Sequence, residues 1–179
     1  MNRRVWVAGA AAVGVLAGVG VAWQRNAGPA GPAGSGAAVD PALAALWGLT
    51  LNTPEGGSLA LKSLQGKPLL INFWATWCPP CIEELPLLNA FSQQNSANGW
   101  QVLGLAVDKL SAVQAFLARQ PLAFPVVMAG MEGVALSQSL GNGPGGLPFT
   151  VVVGAKGQVL DRKIGRVSPD DLQRWHGLK

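Results

Sequence analysis

The chain has 179 residues, with 13 Lys+Arg against 9 Asp+Glu for a formal net charge of +4, a length that suits one ordinary domain plus a terminal appendage. Three of the cations, Arg3, Arg4 and Arg25, flank one apolar stretch; without them the balance is 10 against 9, or +1, which excludes the basic footprint of a nucleic-acid binder. Two cysteines, Cys78 and Cys81, are too few for the several bridges that staple small secreted domains, so the pair is read by its spacing.

In chain order, the first feature is a run of 19 residues, Val5 to Trp23, that contains only Val, Ala, Gly, Leu and Trp. A transmembrane helix needs about 20 such residues. Arg3 and Arg4 directly before it hold residues 1–4 in the cytoplasm by the positive-inside rule, which puts everything after Trp23 on the far side. The sequence therefore predicts a single-pass anchor over 5–23 in the cytoplasmic membrane. A cleaved signal peptide stays open as the alternative, because residues 27–38, AGPAGPAGSGAA, offer small residues to a peptidase. Against it, a signal's apolar core is usually shorter, about 7 to 15 residues. Arg3-Arg4 also resembles a twin-arginine start, with little of the surrounding pattern. Each of these readings exports the remainder of the chain. Residues 24–40 read as a Gly/Ala/Pro linker with nothing to bury, and an ordered domain is expected over 41–179.

Leu49 to Leu51 and Leu59 to Leu61, separated by turn formers from Asn52 to Gly57, predict a hairpin. The continuous apolar run Leu69 to Trp74 reads as a strand buried on both faces. A helix is expected from Pro79 to Gln94, a second buried strand from Trp100 to Val107, and a helix from Ser111 to Arg119 with Val113, Phe116 and Leu117 on one face. A short strand follows at Pro125 to Met128 and a helix at Val134 to Leu140. Phe149 to Val153, a turn at Ala155 to Gly157, and Gln158 to Ile164 predict a second hairpin. Ser168-Pro169-Asp170-Asp171 opens the last helix, with Ser168 as N-cap. Strands alternating with helices argue an α/β class, with a sheet made mixed by the two antiparallel hairpins.

The chemistry sits in Trp77-Cys78-Pro79-Pro80-Cys81, which follows a buried strand and opens a helix. In that position the first cysteine occupies the cap and the second lies one turn on, within reach of a disulfide. Free N–H groups and the helix dipole favour a thiolate on the first. Cys78 is thus expected to be the nucleophile and Cys81 the resolving thiol. Both intervening prolines lack an N–H, so the Cys78 thiolate is expected to be weakly stabilised, as suits a reductant. A structural disulfide or half of a metal site is the plainer reading, but a zinc site usually needs four ligands and the chain offers only Cys78, Cys81 and His176. No cofactor is expected, because two thiols form a complete redox group.

Gly66-Lys67-Pro68, the run Asn72 to Cys81, Glu83-Glu84-Leu85-Pro86 and Gly146-Leu147-Pro148 resemble the TlpA/ResA branch of the thioredoxin superfamily, over residues 47 to 176. The resemblance implies a thioredoxin-like three-layer fold: a central mixed sheet flanked by helices, with a strand-helix insertion over Asp108 to Met128. It implies exported, often anchored thiol:disulfide oxidoreductases that reduce protein disulfides in cytochrome c maturation or copper-site assembly. The implied partners are apocytochrome c or a copper-site protein, and a membrane thiol carrier of the DsbD or CcdA type that supplies electrons.

By the same resemblance Pro148 matches a proline that is cis and lies against the cysteine pair, with Leu147 offering backbone to an extended substrate segment. Glu84 matches a glutamate beside the active site. Both Glu83 and Glu84 fall early in the helix, where a role at the dipole is sufficient for either. Asn72 stands where many thioredoxins bury an acid, which moves any proton relay toward Glu84 or water. Trp77 is expected to shield the disulfide or touch a partner, Pro86 to kink its helix, Asp108 to cap or turn, and His176 to lie on the surface. Two other functions stay in play: an oxidase or isomerase of exported proteins using the same cysteines, and a copper-binding assembly factor with the thiols as ligands.

Overall fold

A computed structural model describes residues 40–178; the expected anchor at 5–23 and nearly all of the linker lie outside them. Among the described residues no helix is long and apolar enough to cross a membrane. The first described residue is Asp40. Its side chain caps helix α1 (Pro41–Trp47) by accepting from the Ala42 N–H at 3.0 Å, and it pairs with Arg162 at 2.7 Å.

Strands β1 (Thr50–Asn52) and β2 (Ser58–Ala60) form the first hairpin, followed by a 3-10 turn over Leu61–Leu64. Then come β3 (Leu69–Trp74), α2 (Pro79–Asn95), β4 (Gln101–Ala106), α3 (Leu110–Arg119), β5 (Val126–Met128), α4 (Gly133–Ser139), β6 (Phe149–Val153), β7 (Val159–Ile164) and α5 (Pro169–His176). The main sheet has the order β5-β4-β3-β6-β7. Strands β3, β4 and β5 are parallel; β6 is antiparallel to both β3 and β7. The first hairpin forms its own two-stranded sheet, so only the second hairpin contributes to the mixed character that the sequence suggested for both.

Every residue of β3 is buried, and the strand's period of two divides its side chains between two cores. Leu70 and Trp74 pack with α2, α3 and α5, whereas Leu69, Ile71 and Phe73 pack with α1 and the 3-10 turn. The segment expected as the family's insertion supplies α3 and β5, helix first, and β5 extends the sheet beyond β4. This architecture is thioredoxin-like.

Parallel strands end on the same side. The loops after β3, β4 and β5 therefore share one edge of the sheet with the start of the antiparallel strand β6.

Candidate active site

Helix α2 starts where β3 ends because Pro79 and Pro80 fit its first turn, where an N–H is not needed. Cys78 is its N-cap. Cys81, three residues on, faces back toward it, and the two sulfurs are bonded at 2.06 Å with Cα atoms 5.3 Å apart. Cys78 is 4% exposed and Cys81 fully buried. The first helix amides not removed by proline, those of Cys81 and Ile82, both donate to the Cys78 carbonyl, at 3.1 and 3.2 Å.

Glu84 is 1% exposed. It lies one turn below Cys81 on the stripe formed by Cys81, Glu84, Leu85 and Leu88. Its carboxylate accepts from the Asn72 side-chain amide at 2.7 Å and from the Val167 N–H at 2.6 Å. Burial raises its pKa from 4.5 to about 7, and outweighs the lowering by those two donors and by Arg166 and Lys163. Asn72 also donates to Thr150 Oγ1 at 3.0 Å, while its own Oδ1 is buried without a partner. The helix dipole is not what holds Glu84, because neither glutamate lies in the first turn of α2, where that field is concentrated. Glu83 turns outward to an exposed ion pair with Arg166.

Asp108 lies at the bend between β4 and α3, the turn role expected of it, and does not cap α3, whose N-cap is Lys109. Its Oδ2 accepts from the N–H and hydroxyl of Thr76, at 2.8 and 2.6 Å. That ties the loop carrying Trp77 to the loop after β4. Trp74 is buried against Phe116, with ring centroids 5.3 Å apart, whereas Trp77 is 61% exposed.

The Leu147–Pro148 peptide is cis and leads into β6, whose Phe149 pairs with Phe73 near the end of β3. Leu147 is half-buried and packs against both cores. Helix α2 continues through Pro86, and His176 is half-buried at the end of α5. The structure thus gathers Cys78, Cys81, Trp77, Glu84, Leu147 and Pro148 at one end of the sheet and leaves His176 apart. Thr150 and Val167 are the residues that sequence reasoning missed. A lone threonine inside the apolar run Phe149–Val153 is a signal for the first; for the second, an amide donor, a sequence carries none.

Comparison with known proteins agrees with this geometry. Residues 27–174 match the Redoxin family. The ResA thiol-disulfide oxidoreductase of Bacillus thuringiensis (strain Al Hakam) is 32% identical over 122 residues, 68% of each chain. A solved thiol:disulfide interchange protein of the thioredoxin family from Chlorobium tepidum TLS superposes with a TM-score of 0.64 at 31% identity, over 71% of this chain and 89% of its own. A secreted disulfide oxidoreductase from Mycobacterium tuberculosis does so at 0.62 and 29%, over 78% of this chain and 99% of its own. With a bonded cysteine pair at a helix start, at the end of the sheet that also carries a cis-proline, on this fold and in this company, the chain belongs to the Redoxin family, as a ResA-like thiol-disulfide oxidoreductase of the thioredoxin superfamily.

Proposed function

We propose that the protein works outside the cytoplasm, held at the membrane by residues 5–23, as a reductant of protein disulfides. The observation that carries the direction of electron flow is the first turn of α2. Pro79 and Pro80 contribute no N–H, and the next two amides are engaged by the Cys78 carbonyl. Few donors remain for a Cys78 thiolate, so it is a weakly stabilised one and the reduced pair gives up its electrons readily. Export is supported by the apolar run behind Arg3 and Arg4 and by the secreted relative.

In the proposed cycle the Cys78 thiolate attacks one sulfur of a partner disulfide. The other partner sulfur leaves as a thiolate, giving a mixed disulfide. Cys81 then loses its proton and attacks Cys78, which forms the intramolecular bond and releases the partner's second thiolate. Two electrons pass to the partner, and the two protons lost by the cysteines balance those gained by the partner's thiols. In this cycle Glu84, one turn from Cys81 with a pKa of about 7, accepts the Cys81 proton. Leu147 and Pro148 offer backbone to the bound segment, and Trp77, 61% exposed next to Cys78 in the chain, touches the partner. Apocytochrome c or a copper-site protein is the proposed partner, with a membrane thiol carrier of the DsbD or CcdA type restoring the dithiol.

Redox titration tests the direction: a potential below about −200 mV is expected, and one near about −120 mV, typical of strong periplasmic oxidants, would refute it. Cys81→Ala, which arrests the cycle at the mixed disulfide, is expected to capture the partner in the membrane fraction.

A further inference from the structure

Five large apolar side chains are exposed among the described residues: Trp77, Leu110, Met131, Ile164 and Leu178. The first three follow β3, β4 and β5 in turn at the active end of the sheet, Trp77 and Met131 on the loops after β3 and β5 and Leu110 at the first position of α3, where the loop after β4 ends. Trp74, Ala106 and Met128 are register partners across β3, β4 and β5. Trp77 lies three residues beyond Trp74, Leu110 four beyond Ala106, and Met131 three beyond Met128. With strands about 4.8 Å apart, the three loops span on the order of 10 Å.

These loops are fastened to one another. Asp108 holds Thr76, and the Gly130 N–H donates to the Ala106 carbonyl at 3.2 Å. Gly133 approaches Val107 so closely that a Cβ on it would stand 2.8 Å from Val107 Cγ2. A single exposed apolar side chain is ordinary. Here Trp77, Leu110 and Met131, exposed by 61%, 48% and 68%, form a row that begins beside the reactive sulfur.

We propose that Trp77, Leu110 and Met131 form an apolar shelf leading away from Cys78, on which an extended apolar segment flanking the partner's target cysteine binds. The inference rests on Cys78 as the exchanging sulfur and deepens it by naming what the site selects. Continuity with the disulfide identifies the occupant. Cys78 is only 4% exposed, so a sulfur reaching it brings its own backbone across this rim. An extended chain advances about 3.3 Å per residue, so roughly three residues carry it from the target cysteine to Met131. The charges along the shelf, Asp108, Lys109 and Glu132, are of both signs and do not favour a segment of one charge.

The test compares two disulfide peptides, one with leucines and one with serines on both sides of the cysteine, against the reduced full chain in lipid nanodiscs. The wild type is expected to react with the leucine peptide about tenfold faster, the ratio that about 1.4 kcal/mol of added binding gives. The double variant Leu110→Ser/Met131→Ser is expected to bring that ratio to within about threefold of one, consistent with losing burial of two apolar side chains. A wild-type ratio near one, or an undiminished ratio in the variant, overturns the shelf. A dimer of the full chain that the double substitution dissolves assigns the face to a second copy and overturns it also. The same ratio is read with oxidised protein and dithiol peptides, so a protein that oxidises rather than reduces fails the proposed direction while the shelf is still judged.

Discussion

The side-chain amide of Asn72, in the middle of a buried strand, donates to Glu84 Oε1 at 2.7 Å. A neutral residue on β3 thereby supports an acid on α2 without bringing a second charge into the core. Burying a lone carboxylate is costly unless it is hydrogen-bonded or protonated. Two N–H donors meet part of that cost, and the raised pKa shows that burial still prevails.

Stability of the oxidised protein is expected to fall as pH rises through this window. A carboxyl raised from 4.5 to about 7 holds a proton in the folded chain where the unfolded chain has released it. The stabilisation is therefore full below about pH 4.5 and lost by about pH 7, a change of roughly 3 kcal/mol. Glu84→Gln is expected to flatten the slope between pH 5 and 8 in denaturant titrations. Equal slopes in the two proteins would show that the carboxyl titrates normally.

Asp171 is expected to act in the opposite sense. Despite its burial, hydrogen bonds from the Ser168 N–H and hydroxyl and the Lys163 ammonium hold its carboxyl well below the usual range. The stability it contributes is present above pH 3.8 and lost as pH falls further. Asp171→Asn is expected to cost about 1 kcal/mol at pH 7 through the capping box and to weaken the acid transition below pH 4. Melting curves from pH 2 to 7 check both.

Replacing Asp108 removes two bonds to Thr76 and leaves a part-buried N–H unpaired. Asp108→Ala is expected to destabilise the chain by about 1–3 kcal/mol. Amide exchange at residues 75–78 is expected to speed up more than exchange in β6. Uniform acceleration over both segments would mean that the contact supports the whole fold rather than the loop.

Gly133 is required by space rather than by backbone angle. A Cβ there would lie 2.7 Å from Ala129 Cβ and 2.8 Å from Val107 Cγ2. Gly133→Ala is expected to cost about 1–3 kcal/mol by overpacking, against the helix propensity that favours alanine. A variant that melts at or above the wild-type temperature would contradict the close approach.

Strand β3 could be read from the sequence because burial on both faces leaves an uninterrupted apolar run. The start of α5 was equally plain, since Ser168 and Asp171 supply both halves of a capping box. Helix α1 was not foreseen: seven residues of Pro, Ala, Leu and Trp beside a spacer carry little helical pattern, and burial of Leu43, Leu46 and Trp47 is what holds them. In the site, the cysteine spacing was legible, but adjacent Glu83 and Glu84 look alike locally. Helical phase separates them, since Cys81, Leu85 and Leu88 fix the buried stripe on which only Glu84 falls. The link from Asp108 to Thr76 spans 32 positions and depends on two parallel strands ending together, which no local pattern encodes.

The bond from the Val167 amide to Glu84 Oε2 gives the buried acid a built-in spectroscopic reporter on a segment remote in sequence. When the carboxyl takes up its proton, the charge facing that amide disappears, and the Val167 resonance shifts along with it. The ionisation of a side chain hidden beneath the disulfide can thus be followed, in either redox state, from a single peak near the carboxyl terminus.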